Sequence, residues 1–85
     1  MAITYILFSS SCGKFYVGSS RNDNIRVRLS AHNAGRVKST KSYRPWTIVT
    51  TEKLQSYSDA RKRELFLKSG VGRKLIAEKF GFLKS

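Results

Sequence analysis

Ile3-Thr4-Tyr5-Ile6-Leu7-Phe8, followed across Ser9-Ser10-Ser11-Cys12-Gly13 by Phe15-Tyr16-Val17-Gly18, is the stretch on which the fold turns. Both arms are rich in β-branched and aromatic residues and the middle holds turn formers, a pattern that predicts a β-hairpin. Side chains alternate faces along a strand and directly paired residues share a face. Any register that pairs odd with even numbers therefore puts Tyr5 and Tyr16 on one side. A register centred on Ser10-Ser11 would set the two rings directly opposite each other.

Beyond the hairpin, Asp23 or Asn24 can cap a helix that carries Ile25, Leu29 and His32 at helical spacing, with Gly35 as its stop. Arg28 and His32 lie one turn apart on that helix and must be neighbours. Residues 36–44 are polar and basic and read as a loop that Pro45 ends, and residues 46–51 are rich in strand formers. Ser56 with Asp59 three residues on resembles a capping box, and good helix formers then run to Lys68 before Ser69-Gly70. A last short helix over residues 72–79 would bury Leu75, Ile76 and Phe80.

Eighty-five residues leave room for one modest core, so a single domain over residues 1–85 is expected. Hydrophobic residues make up 40% of the chain, too many for a disordered basic tail. Seventeen Lys and Arg against five acids give a net charge of +12 and a pI near 10.5, which calls for a polyanionic partner. No basic amphipathic helix with a bulky apolar face and no long apolar run points to a membrane, so nucleic acid is expected instead. Residues 3–8 are too short for a signal segment and lack a basic flank, from which a cytoplasmic location is expected. Cys12 is the only cysteine and His32 the only histidine, so neither an internal disulfide nor a multi-cysteine zinc site is expected.

Thr4-Tyr5-Ile6 and then Tyr16-Val17-Gly18-Ser19 resemble the paired tyrosine motifs of the GIY-YIG nuclease family. Ile3-Thr4 stands where that family usually has a glycine and an aliphatic residue. The resemblance continues in order through residues 28–35, Arg44-Pro45-Trp46, residues 60–64 and Lys68, and so covers nearly the whole chain. It is closest to small stand-alone members that resemble the nuclease domain of the bacterial excision-repair incision subunit and of homing endonucleases, and the first of these implies a part in DNA repair. The implied fold is a small α/β domain, a three-stranded, largely antiparallel sheet flanked by helices, with the active site on one sheet face.

The resemblance implies a DNA endonuclease that hydrolyses phosphodiester bonds in duplex or branched DNA with one divalent cation, Mg²⁺ or Mn²⁺, and no small-molecule cofactor. Tyr5 matches the tyrosine implicated as the base that activates water, and a free phenol near pKa 10 needs its pKa depressed by nearby positive charge to act so at neutral pH. Tyr16 would orient water or phosphate. Arg28 matches the family's catalytic arginine, with Arg26 a weaker candidate, and its planar fork suits two phosphate oxygens. His32 is expected to assist as a base or phosphate ligand.

Glu64 lies in line with Tyr57, Ala60 and Leu67 at helical spacing and matches the family's metal-binding glutamate. The plainer reading of Glu64 is a surface ion pair with Lys68. Gly18, Ser19, Lys38, Lys41, Arg44 and Lys68 are expected to meet DNA, Gly18 because a strand glycine often marks a close approach, here of a phosphate. A non-catalytic nucleic-acid-binding protein on the same scaffold is the alternative.

Overall fold

The computed structural model describes residues 1–84 and contains the expected small α/β architecture. Strands β1 (Ala2–Ser9), β2 (Lys14–Ser20) and β3 (Trp46–Leu54) form one antiparallel sheet in the order β2-β1-β3. Helix α1 (Ile25–Asn33) packs on one face, and α2 (Tyr57–Lys68) with α3 (Gly70–Phe80) on the other. No helix among the described residues is long and apolar enough to cross a membrane.

Every residue of β1 is buried, because helices cover the central strand on both sides. Ile3, Tyr5 and Leu7 join Trp46 under α1, with Ile25, Leu29 and Tyr16 packed against them. Ile6 faces the other way, with Val17, Leu67 and Ile76. The buried polar groups of β1 are satisfied: Thr4 Oγ1 donates to the Ala60 carbonyl at 2.8 Å and Ser9 Oγ to the Tyr43 carbonyl at 2.6 Å.

The hairpin pairs Tyr5 with Gly18 and Leu7 with Tyr16, so its centre is Ser11-Cys12 and not Ser10-Ser11. The turn explains the offset. Gly13 adopts φ 67°, a left-handed conformation natural to glycine, and its amide closes the turn on the Ser9 carbonyl at 2.7 Å. The two tyrosines still share a face, but diagonally.

Asn24 caps α1 by accepting from the Arg26 amide, and Ser56 caps α2 by accepting from the Asp59 amide. Asp23, the other cap candidate, is therefore not the cap. α3 begins two residues earlier than expected because Ser69 accepts from the Gly72 amide and caps it directly. Ile76 is buried and Phe80 half-buried, whereas Leu75 is exposed, contrary to expectation, since it lines an open groove beside Thr4, Ile6 and Leu67.

Candidate functional site

Tyr5 reaches across the sheet face beneath α1, and the space it needs is supplied by its partner on β2. A Cβ on Gly18 would stand 2.5 Å from the Tyr5 hydroxyl and 3.0 Å from the Tyr16 ring. The close approach that marks this glycine is thus made by the Tyr5 phenol. With no side chain in the way, that hydroxyl lies over β2, the edge strand.

His32, fully buried in the last turn of α1, meets this hydroxyl through Nε2 at 3.0 Å. Its Nδ1 lies 2.8 Å from Thr40 Oγ1, and Thr40 Oγ1 donates to the Val37 carbonyl at 3.3 Å. A hydroxyl has one proton, so Thr40 must accept from His32 Nδ1–H, which leaves Nε2 unprotonated and ready to accept from Tyr5. The order is therefore Tyr5 O–H to His32, His32 N–H to Thr40, and Thr40 O–H to Val37. Burial first and the Arg28 charge second lower the His32 pKa to about 4, so the ring is neutral at pH 7 and the chain of donors is intact.

Arg28, half-buried one turn before His32, places Nη2 at 3.5 Å from the Tyr5 hydroxyl. Its Nε is buried and has no hydrogen-bond partner among the described residues. Arg26 is exposed and points elsewhere. Tyr16 packs with its ring tilted 5.0 Å from His32 and 6.4 Å from Tyr5 between ring centroids, and its hydroxyl makes no hydrogen bond among the described residues. Burial pushes the Tyr5 pKa up, and the opposing hydrogen bond and charge of Arg28 do not overcome it. The sequence-based requirement of a depressed tyrosine is not met by this pocket, because one arginine at 3.5 Å offsets only part of the desolvation.

Glu64 comes to the same strand from the opposite side. Ser19 points away from Gly18 by strand alternation, and its hydroxyl donates to Glu64 Oε1 at 2.5 Å. Arg61 reaches the same oxygen at 2.8 Å, and Lys68 reaches Oε2 at 2.6 Å. Burial pushes this carboxyl up, but the Lys68 and Ser19 hydrogen bonds, the Lys68 charge and the Arg61 hydrogen bond together hold its pKa below the ordinary value. The ion pair with Lys68 is real, and Lys68 Nζ also lies 5.7 Å from the Tyr16 ring centre. The site residues therefore do not share one sheet face. Tyr5, Tyr16, Arg28 and His32 sit on the α1 side, Ser19, Glu64 and Lys68 on the α2 side, and the two groups meet around β2.

A divalent cation is a sequence-based expectation, and the donors present suit one kind only. Among the described residues no group of three or more His, Cys, Asp and Glu is placed to hold a metal. One ionised carboxylate is nevertheless the protein share of a Mg²⁺ site that takes its other ligands from water and phosphate. Glu64 is held ionised, and the Arg61 and Lys68 side chains on it are each more than 40% exposed, able to swing away. The fit is to a hard, oxygen-seeking ion.

Lys38, Lys41 and Arg44 make no hydrogen bond to this cluster. All three are exposed, and the Arg44 guanidinium turns back to the carbonyls of Lys41 at 2.8 Å and Asn33 at 3.5 Å. The loop that carries them contributes Thr40 instead, a residue that the sequence does not single out. Ile3 and Thr4, the departures from the first tyrosine motif, are taken up in the core and in the bond to Ala60, away from the Tyr5 hydroxyl.

The family model described as the GIY-YIG catalytic domain matches residues 1–76 of this chain. Members of that family are generally endonucleases that act on DNA. The match is to the family as a whole and singles out no branch of it. No match was found among curated proteins or among solved structures.

Proposed function

The chain belongs to the GIY-YIG catalytic-domain family, and from that premise we propose that it is a metal-dependent DNA endonuclease whose site is assembled around β2 from Tyr5, Tyr16, Arg28, His32 and Glu64. The observation that carries this reading is the pairing of a neutral base with an unmet cation. His32 Nε2 accepts the Tyr5 proton, while Arg28 keeps a buried donor without a partner beside the same hydroxyl. A buried unsatisfied donor on a charged group is costly, and a phosphodiester oxygen would satisfy it.

In this reading Tyr5 is protonated at rest and does not act alone. Water gives a proton to Tyr5 Oη as Tyr5 gives its own to His32 Nε2, and the water oxygen bonds to phosphorus. The bond from phosphorus to O3′ breaks with its electron pair on O3′, which takes a proton from solvent water to give the 3′-hydroxyl beside the 5′-phosphate, and the proton on His32 returns to solvent. His32 at about 4 is a weak base in the free protein, and part of that weakness is the Arg28 charge. A phosphate bound to Arg28 would neutralise that charge and add a negative one near the imidazole. Substrate binding would then raise the His32 pKa at the moment a base is needed.

Arg28 would stabilise the charge that builds on the phosphoryl oxygens, and Tyr16 would orient water or phosphate through its free hydroxyl. Glu64 would hold one Mg²⁺ or Mn²⁺, which supplies Lewis-acid stabilisation when bound. Lys68, released from Glu64, would turn to the substrate backbone.

The test is incubation of purified protein with supercoiled plasmid, branched and single-stranded DNA in Mg²⁺, Mn²⁺ or chelator. Nicking that requires the ion and leaves 5′-phosphate ends is expected. Salt-sensitive binding without cutting under either ion would overturn the proposal in favour of a non-catalytic DNA-binding protein.

A further inference from the structure

One groove lies on the α2–α3 side of the sheet and another wraps the edge strand β2, and their charges differ. In the first, of about 380 Å³, Glu52 and Glu78 offset Arg63 and Lys79. The second, of about 560 Å³, has Lys14, Lys68, Arg73 and Lys84 in its walls and no acid. It starts at Tyr16 and Lys68, which also belong to the site around β2, and runs along the edge strand to Gly13 and the C-terminal turn. A groove that is continuous with the site and lined with cations alone selects an anion.

Lys68 is paired with Glu64, and the other cations of the groove are poorly neutralised. Lys14 Nζ lies 4.3 Å from the Tyr43 ring centre and Lys84 Nζ 5.5 Å from that of Phe15, contacts that fix an ammonium without cancelling its charge. No carboxylate of the described residues is within salt-bridge range of Lys14 or Arg73. Between the walls the lining is apolar, with half-buried Phe15, buried Leu67 and exposed Ala77. Stacked duplex offers phosphates but keeps its bases inside, so such a floor has no partner there. An unpaired nucleotide offers a phosphate to the cations and a base and sugar to the floor.

We propose that the groove along β2 receives a single-stranded DNA arm leaving the cleaved phosphate, so that the substrate is branched or flapped DNA and not plain duplex. This rests on the endonuclease reading of the adjoining site.

The experiment measures binding by fluorescence anisotropy in chelator, with a labelled duplex carrying a short oligothymidine arm and the same duplex blunt. Wild type is expected to bind the armed duplex about tenfold more tightly, the scale of one or two stacked bases. In Lys14→Ala/Arg73→Ala that preference should shrink to about twofold, and the log–log salt slope on the armed duplex should fall by about 1.4, two phosphate contacts on a single strand. Lys53→Ala/Lys79→Ala removes the same charge elsewhere and should keep the preference. No preference in wild type, or equal loss in both double variants, would overturn the groove assignment. Because no cutting enters these measurements, they fail independently of the endonuclease proposal: plasmid nicking without arm preference removes the groove alone, and arm preference in a chain that never cuts removes the endonuclease reading.

Discussion

His32 on α1 and Glu64 on α2 are both buried titratable groups beside the same edge strand, and the protein treats them in opposite ways. His32 is surrounded by hydroxyls and a like charge, so burial wins and it is held neutral with its pKa lowered to about 4. Glu64 is surrounded by Arg61, Lys68 and Ser19, so partners outweigh burial and it is held ionised. Burial sets the cost of charge, but the sign of the neighbours decides whether that cost is met. One side of β2 thus carries a neutral proton acceptor and the other an ionised carboxylate, two states that the proposed metal-dependent hydrolysis would use together.

The α1 side should break first at Arg28. Arg28→Ala is expected to slow plasmid nicking by about a hundredfold or more, the scale of other preorganised donors to transition-state charge, while exposed Arg36→Ala changes it little. Equal small effects in the two variants would make Arg28 surface charge. Thr40→Val tests the hydrogen-bond chain more gently. It leaves His32 Nδ1–H without an acceptor, so a loss of about 1–3 kcal/mol in stability and about a tenfold loss in cleavage are expected, with Thr40→Ser restoring both. A cleavage rate that Thr40→Val leaves unchanged would show that the tautomer of His32 does not matter.

The smallest effect sharpens the contrast itself. The lone histidine gives one imidazole signal, and by NMR it should not titrate between pH 8 and 5 in the free protein. The folded chain gives up this proton more readily than the unfolded one, so the stability linked to His32 is complete above pH 6.5 and is lost as pH falls toward 4. That loss amounts to at most about 3 kcal/mol at about 1.4 per unit. The contribution of Glu64, whose pKa is depressed, is lost only below its ordinary value of 4.5. Added uncleavable duplex in chelator should raise the His32 midpoint. An ordinary midpoint near 6.5 without DNA would contradict the buried neutral assignment.

Local chemistry carried most of the fold. The hairpin followed from strand propensity and parity, the cap at Ser56 from its side-chain acceptor, and the first cap was narrowed to Asp23 or Asn24, of which the structure uses Asn24. The register slipped because Gly13, and not the serines, closes the turn. Parity also held an unused signal: Ser19 is an odd number of residues from Tyr16 and so faces the other side, which separates the glutamate half of the site from the tyrosine half. Thr40 and the raised pKa of Tyr5 were illegible for a different reason. Both depend on burial created by residues far apart in the chain, and a threonine among lysines and serines reads as solvated until a buried histidine is placed on it.

The most direct test of a single site around β2 is the plasmid nicking rate of the double variant Arg28→Ala/Glu64→Gln beside each single variant. Groups that act in one transition state are strongly non-additive, so the double variant is expected within about threefold of the slower single variant. A double variant slowed by the product of the two single losses, or single variants that cut like wild type, would contradict the account.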